Sequence, residues 1–473
     1  MYQEQNRPEQ EDIRDLLRQF EDLQLGRGGA FLSEESFERI IDHFDETDQL
    51  ASALEAAESG ISSHPYSCSL LVKKADLLIA SRRYTEALDL LQHAEVLDAN
   101  DIDIYILKTD AYLALDQQEK AVGLLEEAIH RFEGDDRLNL LFELADVYDD
   151  YEEFDKIFDC LRLILEQEPN NEEALYKICF WTDFTGRNEE SIRLHQSIID
   201  DFPYSELAWF NLAAAYQGLK LYEKSVDAYK YALAINEKFD YAYRNMADAY
   251  IRMRKYRDAI EALEKVVELA RPEDVIYEAI GHCYERLKNP AQARFYYRKA
   301  AHLNPEDSKL HFKVAGTYMR ESNWVQSVKY LEQALRIHRN QPEYNLAMGE
   351  CMLQLGRHRE AIHHFTLVVQ HRPRKIAGWE ALLRCLIRAE MYEEADARAK
   401  LAFETSGQKP VFLFYRVAIL QAQGRSKEAM LVLENAMSRD PRGLKKLVSL
   451  CPDILKQPKV ADLVARSKRN RHL

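Results

Sequence analysis

A period of 34 residues constrains this chain of 473 residues more than any other feature. Pro169 and Pro203 lie 34 residues apart, and Pro305, Pro373 and Pro441 follow at whole multiples of 34. Small and aromatic residues keep the same step, as in two series: Ala361, Ala395 and Ala429; Tyr216, Tyr250, Tyr284 and Tyr318. Such a period indicates stacked copies of one supersecondary unit rather than a few separate globular domains.

The prolines also set the boundaries of the units. With proline at position 32 of each unit, three repeats fill residues 34–135 and nine fill residues 138–443, separated by a two-residue insertion at Asp136 and Arg137. Within a repeat, apolar residues recur at helical spacing in two groups. Glycine recurs at position 15, between the groups, at Gly186, Gly356 and Gly424. Each repeat is therefore predicted to be two helices joined by a tight turn.

The two ends of the chain fall outside this frame. Residues 1–33 are predicted to form an amphipathic helix and a glycine-rich linker. The helix, expected over residues 10–25, either caps the first repeat or docks a partner. Residues 444–473 are predicted to form capping helices and a basic tail, because a terminal repeat needs cover for its apolar face.

The residue types at fixed positions resemble the tetratricopeptide repeat. The pattern is clearest in repeat six, with Trp209, Ala213, Tyr216, Tyr229 and Ala232, and in repeat eight, with Tyr277, Gly281, Tyr284, Ala293, Tyr297, Ala300 and Pro305. The resemblance covers residues 34–443 and implies an all-α fold, a right-handed α-solenoid superhelix of about twelve helix-turn-helix repeats. In that family the first helix of each repeat lines a concave groove that binds protein segments.

Charge is segregated along the chain, whose formal net charge is −17. Residues 34–171 carry 11 basic and 34 acidic side chains, whereas residues 308–473 carry 29 basic and 16 acidic ones. We expect basic partner segments at the N-terminal repeats and acidic ones at the C-terminal repeats. Weak head-to-tail self-association through the opposite ends is a further prediction.

The repeat frame converts this segregation into candidate binding residues. A basic groove is predicted from position 13 and its neighbours: Arg244, Arg252, Arg286, Lys313, Arg320 and Arg388. An acidic groove is predicted from positions 9, 12 and 13: Asp76, Asp110, Asp146, Asp149, Asp150 and Asp183. Asn211 and Asn245, both at position 6, are predicted to hydrogen-bond an extended peptide backbone.

Motifs for catalysis are missing from the sequence. It contains no glycine-rich phosphate loop, GxSxG elbow or HExxH pair. The adjacent His363 and His364 point to different sides of a helix, which makes a poor metal site. We therefore expect neither enzymatic activity nor a cofactor or metal, and we expect a non-catalytic scaffold or adaptor that binds partner segments in the groove.

The sequence is also compatible with two other functions. A helical-repeat protein that binds nucleic acid would use the basic C-terminal half, although the overall negative charge opposes it. A peptide-sensing regulator would tighten its superhelix on a ligand. The seven cysteines form no CxxC pair, and the N-terminus lacks a signal-peptide pattern, so we expect free thiols, no membrane contact and a cytoplasmic location.

Overall fold

The computed structural model describes residues 7–27, 31–456 and 460, and it shows helices and no β-strand over these residues. The helices before residue 240 are α1 Arg7–Gln24, α2 Glu34–Glu46, α3 Leu50–Ser63, α4 Cys68–Ala80, α5 Tyr84–Leu97, α6 Ile102–Ala114, α7 Gln118–Arg131, α8 Gly134–Asp150, α9 Phe154–Gln167, α10 Glu172–Thr185, α11 Asn188–Asp201, α12 Glu206–Gly218 and α13 Tyr222–Ile235.

The remaining helices continue the same order. They are α14 Asp240–Arg252, α15 Tyr256–Leu269, α16 Asp274–Arg286, α17 Pro290–Leu303, α18 Ser308–Arg320, α19 Trp324–Ile337, α20 Pro342–Gln354, α21 His358–His371, α22 Ile376–Arg388, α23 Tyr392–Thr405, α24 Val411–Ala422, α25 Ser426–Arg439 and α26 Leu444–Leu450. Two short 3₁₀ helices, Pro441–Gly443 and Pro452–Lys456, flank α26.

The helices pair into twelve hairpins, which confirms the predicted all-α repeat fold. In most repeats the first helix occupies positions 1–13 and the second occupies positions 17–30. The chain divides into two compact units between repeats six and seven, unit 1 being Met1–Phe239 and unit 2 being Asp240–Leu473.

The turn inside each hairpin is set by one left-handed residue. Position 15 has a positive φ in all twelve repeats, although only Gly186, Gly356 and Gly424 are glycines there. In eleven repeats the N–H at position 16 donates to the carbonyl at position 11, as from Asn289 to Tyr284 at 2.9 Å. This bond closes a Schellman motif, which ends the first helix and aims the chain into the second.

The insertion at Asp136 and Arg137 lengthens a helix rather than a loop. Helix α8 begins at Gly134, four residues before position 1 of repeat four, and has 17 residues instead of the usual 13. The added residues form its first turn, so the later positions of α8 stay in register with the other first helices.

Repeat five departs from the common hairpin. Helix α10 runs to Thr185, and no hydrogen bond from Arg187 to the position 11 carbonyl is formed. Helix α10 packs mainly against α9 and α12 and only slightly against α11, its partner in sequence. A side-chain hydrogen bond of 3.2 Å between Thr182 and Ser191 joins α10 to α11.

Both ends of the described chain cover a terminal hairpin. Helix α1 buries Leu16 and Phe20 against repeat one, where the Phe20 and Phe37 ring centroids are 6.2 Å apart. The N-terminal helix therefore acts as a cap. Leu447 of α26 is buried in the apolar cluster of α24 and α25. The predicted basic tail lies outside the described residues.

Candidate functional site

The two helices of each hairpin pack together along a line that we call the seam. A side chain of the first helix is buried where it points into the seam and reaches solvent where it points away from it. Ala75, at position 8 of repeat two, is fully buried where α4 packs on α5. Asp76 comes next, and because consecutive side chains on a helix are about 100° apart, it leaves the seam and is exposed. In the next two repeats a buried residue at position 8 is likewise followed by an exposed aspartate at position 9: Thr109 by Asp110, and Ala145 by Asp146.

Four carboxylates on three first helices form what we call the acidic row: Asp76, Asp110, Glu143 and Asp146. Their helices, α4, α6 and α8, contact one another in succession. Burial raises the pKa of Asp76, of Asp110 and of Glu143. The charge of Asp76 raises the pKa of Asp110 further, and the charges of Asp110 and Asp146 do so for Glu143. Asp76 and Asp110 are therefore exposed yet partly desolvated, and the charges act on one another from one first helix to the next.

Cations from the chain itself meet only the ends of this row. Lys177 Nζ lies 3.7 Å from Asp146 Oδ1 and 2.9 Å from Glu173 Oε1, and it sits 5.1 Å from the centre of the Phe142 ring. At the other end Lys73 pairs with Asp42. Within the described chain Asp76, Asp110 and Glu143 form no ion pair. The charge of Lys73 lowers the pKa of Asp76 and that of Lys177 lowers the pKa of Glu143, so these carboxylates are only partly compensated.

The remaining acidic predictions lie close by. Asp149, Asp150 and Asp183 are exposed and have no ion pair in the part of the chain that the structure describes. Asp183 raises the pKa of the neighbouring Cys179 thiol, which burial already raises more, to about 12. These three carboxylates add negative charge beside the row, but the structure does not place them within it.

An aromatic surface lies on α10. Tyr176, Phe180 and Phe184 are 70%, 61% and 57% exposed. Phe184 packs edge-on against Phe154, with centroids 4.6 Å apart, and Trp181 stacks on Phe154 at 5.3 Å. We call Tyr176, Phe180 and Phe184 the aromatic patch.

The predicted basic residues of unit 2 are mostly engaged with carboxylates of the same unit. Arg244 donates two hydrogen bonds to Glu273, at 2.8 and 2.9 Å, which raises the pKa of the guanidinium. Lys313 pairs with Glu278, and Arg320 pairs with Glu285. These cations are therefore less available to a partner than their spacing indicated.

Three arginines at position 13 have weaker or no partners. Arg252 lies 3.4 Å from Asp248, one helical turn away. Arg286 Nε donates to Tyr256 Oη at 3.1 Å. Arg388 is exposed and has no ion pair among the described residues.

The prediction that Asn211 lines an open groove is wrong. Its side chain is 2% exposed, and its Nδ2 donates to the Leu175 carbonyl at 2.7 Å and to His195 Nε2 at 3.2 Å. The shift of α10 toward α12 brings this carbonyl within reach. Asn245, at the same position in repeat seven, is half-buried, and its role stays a prediction.

Sequence reasoning missed Glu143, the aromatic patch and the carboxylate partners of the basic residues. One signal could have found the partners, because Lys313–Glu278 and Arg320–Glu285 both join residues 35 apart on neighbouring first helices. Lys177 and Phe142 are also 35 apart. The aromatic patch was visible as three rings at i, i+4 and i+8 on one helix.

Two features that other kinds of protein require are absent from the described residues. No helix of the described chain combines the length and apolar character that crossing a bilayer requires. The described residues also hold no group of histidine, cysteine, aspartate and glutamate side chains arranged to bind a metal.

Comparisons with known proteins point to one repeat class. The family model for the C-terminal ARM domain of tetratricopeptide repeat protein 21 matches residues 211–346. Human anaphase-promoting complex subunit 7 is 23% identical over 134 residues, which is 28% of this chain and 24% of that protein. The chain thus matches about a quarter of that relative.

Solved structures show the same kind of likeness at low identity. The C-terminal part of a repeat protein from Cytophaga hutchinsonii is 16% identical, with a TM-score of 0.45, over 51% of this chain and 99% of that one. The Cut9–Hcn1 hetero-tetramer of the anaphase-promoting complex is 12% identical, with a TM-score of 0.33, over 84% of this chain and 96% of that one. The twelve hairpins of 34 residues, together with the matched family model, identify the chain as a repeat protein of the tetratricopeptide type.

Proposed function

We propose that the chain is a protein-interaction scaffold and that unit 1 binds basic protein segments along the acidic row. The observation that supports this most directly is that Asp76, Asp110 and Glu143 lie on three successive first helices and form no ion pair with any described residue. A lysine or arginine placed there would offset the burial and the mutual repulsion that raise the carboxyl pKa values.

Lys177 supplies an internal example of the chemistry. Its ammonium group is held by two carboxylates and lies over the Phe142 ring. A partner's basic side chains would repeat this arrangement at the vacant carboxylates. The partial match to a protein named as a subunit of a complex supports the same class of function.

The alternatives have less support. Nucleic acid would be repelled by the acidic row, and the cations of unit 2 are largely paired with carboxylates. Binding of acidic segments by unit 2 depends on Arg388 and on displacing these carboxylates, so we expect it to be the weaker interaction.

A binding measurement with defined peptides tests the proposal. Labelled peptides of about ten residues, the extended length needed to cross three helices, would carry either lysine or glutamate among glycine and serine. Fluorescence anisotropy with the full chain should show salt-sensitive binding of the lysine peptide. Asp76→Asn with Asp110→Asn and Glu143→Gln should weaken it about tenfold or more.

A matched variant controls for net charge. Asp89→Asn with Glu127→Gln and Asp200→Asn removes the same three charges from exposed positions on second helices. It should bind the lysine peptide like the unaltered chain. Equal affinity of both triple variants would contradict the proposal, and preference for the glutamate peptide would favour the basic residues of unit 2.

A further inference from the structure

Among the described residues of unit 1, the aromatic patch is the largest group of exposed rings on one helix. Tyr176, Phe180 and Phe184 occupy positions i, i+4 and i+8 of α10, so they form a continuous stripe along one side of the helix. Single exposed apolar residues are common on protein surfaces, but three aligned aromatic side chains exposed by more than half are not. The stripe marks a surface on which another molecule can rest.

The patch is held in place from beneath. The Phe154 ring of α9 contacts both Trp181 and Phe184, and the Phe180 centroid lies 4.9 Å from that of Trp181. Helix α10 packs mainly against α9 and α12 rather than against α11, its partner in repeat five, and these contacts fix the outward side of α10. A rigid aromatic surface loses little conformational entropy when a partner binds.

The patch also borders the acidic row. Lys177, which reaches Asp146 of α8, lies on α10 beside the stripe. At about 100° per residue, Phe184 is only about 20° around the helix from Lys177, and Phe180 about 60°. The row and the patch are therefore neighbours on unit 1.

The charges on α10 indicate which kind of partner can bind where the acidic row meets the aromatic patch. Lys177 is its only basic residue, against the carboxylates of Glu172, Glu173 and Asp183. Aromatic faces with nearby carboxylates attract ammonium and guanidinium groups and also accept apolar side chains. An acidic segment would be repelled here.

We propose that the Tyr176–Phe180–Phe184 face of α10 docks the apolar end of a basic protein segment whose lysine or arginine side chains lie along the acidic row. The occupant is a partner chain that carries basic residues followed or preceded by large apolar side chains. This inference rests on the proposed function, to which it adds the apolar anchor and its place.

Paired peptides and a patch variant test the anchor. Each lysine peptide would carry either two leucines or two serines at one end. Both kinds would be made in two versions, with this pair of residues at the N-terminus or at the C-terminus. We expect the full chain to bind one leucine peptide about tenfold more tightly than its serine counterpart. Tyr176→Ser with Phe180→Ser should abolish this difference and leave the serine peptide unaffected.

The control removes two rings elsewhere in unit 1 that are even more exposed than those of the patch. Tyr66→Ser with Tyr204→Ser, at positions 84% and 83% exposed, should keep the preference for leucine. Circular dichroism would verify that both double variants retain their helix content.

The outcomes separate this inference from the proposed function. If lysine peptides bind through the acidic row but leucine adds nothing, or if the patch variant keeps the leucine preference, the anchor is refuted and the acidic row stands. If no lysine peptide binds, the proposed function fails first. A dimer in sedimentation that the patch variant abolishes would also overturn the inference, since a second copy would then occupy the patch.

Discussion

Asn211 Nδ2 lies 3.2 Å from His195 Nε2 in the core of unit 1, and Nδ1 of the same ring lies 2.7 Å from the Ser191 carbonyl oxygen. A carbonyl only accepts hydrogen bonds, so Nδ1 carries the proton and Nε2 accepts from Asn211. A second proton on Nε2 would face the amide N–H of Asn211. The imidazole is therefore neutral, and burial lowers its pKa from 6.5 to about 4, against the opposing effect of the Ser191 hydrogen bond.

His195 should make stability depend on pH. Because its pKa is lower in the folded chain than in the unfolded one, its contribution is complete above pH 6.5 and is lost as the pH falls toward 4. The loss amounts to about 3 kcal/mol at its limit. His195→Gln, which keeps an acceptor, should flatten this part of the profile in denaturant unfolding, whereas His93→Gln, at an exposed position, should leave it unchanged.

Two glycines of unit 2 should respond in opposite directions to alanine. A Cβ at Gly349 would lie 2.5 Å from Cε1 of the fully buried Phe365, so Gly349→Ala should overpack the hairpin seam and cost about 1–3 kcal/mol. A Cβ at Gly316, also helical, would meet nothing within 4 Å. Gly316→Ala should stabilise the helix by about 0.5–1 kcal/mol. Thermal unfolding of both variants checks the pair, and a shift of the same sign in both would contradict it.

The left-handed turn residue offers a stabilising change. Lys288 has φ 59° at position 15 of repeat eight, and its side chain is exposed. Left-handed conformation costs an ordinary residue about 1–2 kcal/mol, and the greater freedom of glycine in the unfolded chain offsets part of that. Lys288→Gly should therefore raise the free energy of unfolding by about 0.5–1 kcal/mol. Lys288→Ala keeps the strained φ and should gain nothing, so equal stabilisation by both would rule out the backbone explanation.

The period predicted the hairpins because every repeat must solve the same packing problem. Ala75 and Ala87 illustrate it, since small residues at positions 8 and 20 let two helices approach, and this requirement is visible in sequence. Position 15 was recognised only through its glycines. The Schellman hydrogen bond imposes the same φ on residues such as Lys288, which carry no sequence signal for it.

The candidate site was less predictable because it depends on neighbouring helices. Asn211 and Asn245 share position 6, yet only the first is buried, since α10 has moved toward α12 in repeat five. A repeat frame assigns both the same environment. Likewise, a frame shows the cation of Arg320 but not that Glu285 of the preceding first helix already pairs with it.

The acidic row should weaken the folded chain at neutral pH. The pKa values of Asp76, Asp110 and Glu143 are raised in the folded chain, chiefly by burial. Their contribution to the free energy of unfolding is therefore complete when the pH lies below the ordinary carboxyl pKa values, and it is lost as the pH rises through the raised pKa values. The variant with Asp76→Asn, Asp110→Asn and Glu143→Gln, which we call the row variant, should therefore melt about 1–2 °C higher than the unaltered chain at pH 7. The gain is small because solvent screens the carboxylates.

This advantage should shrink as the pH falls toward 4, since protonation then neutralises the same carboxylates in the unaltered chain. The variant with Asp89→Asn, Glu127→Gln and Asp200→Asn carries the same net charge and should show a smaller gain at pH 7, because its three positions lie apart on exposed second helices. Differential scanning calorimetry between pH 4 and pH 7 measures both. A row variant that melts lower at pH 7, or a gain that the second variant matches, would mean that the carboxylates do not repel one another as the structure indicates.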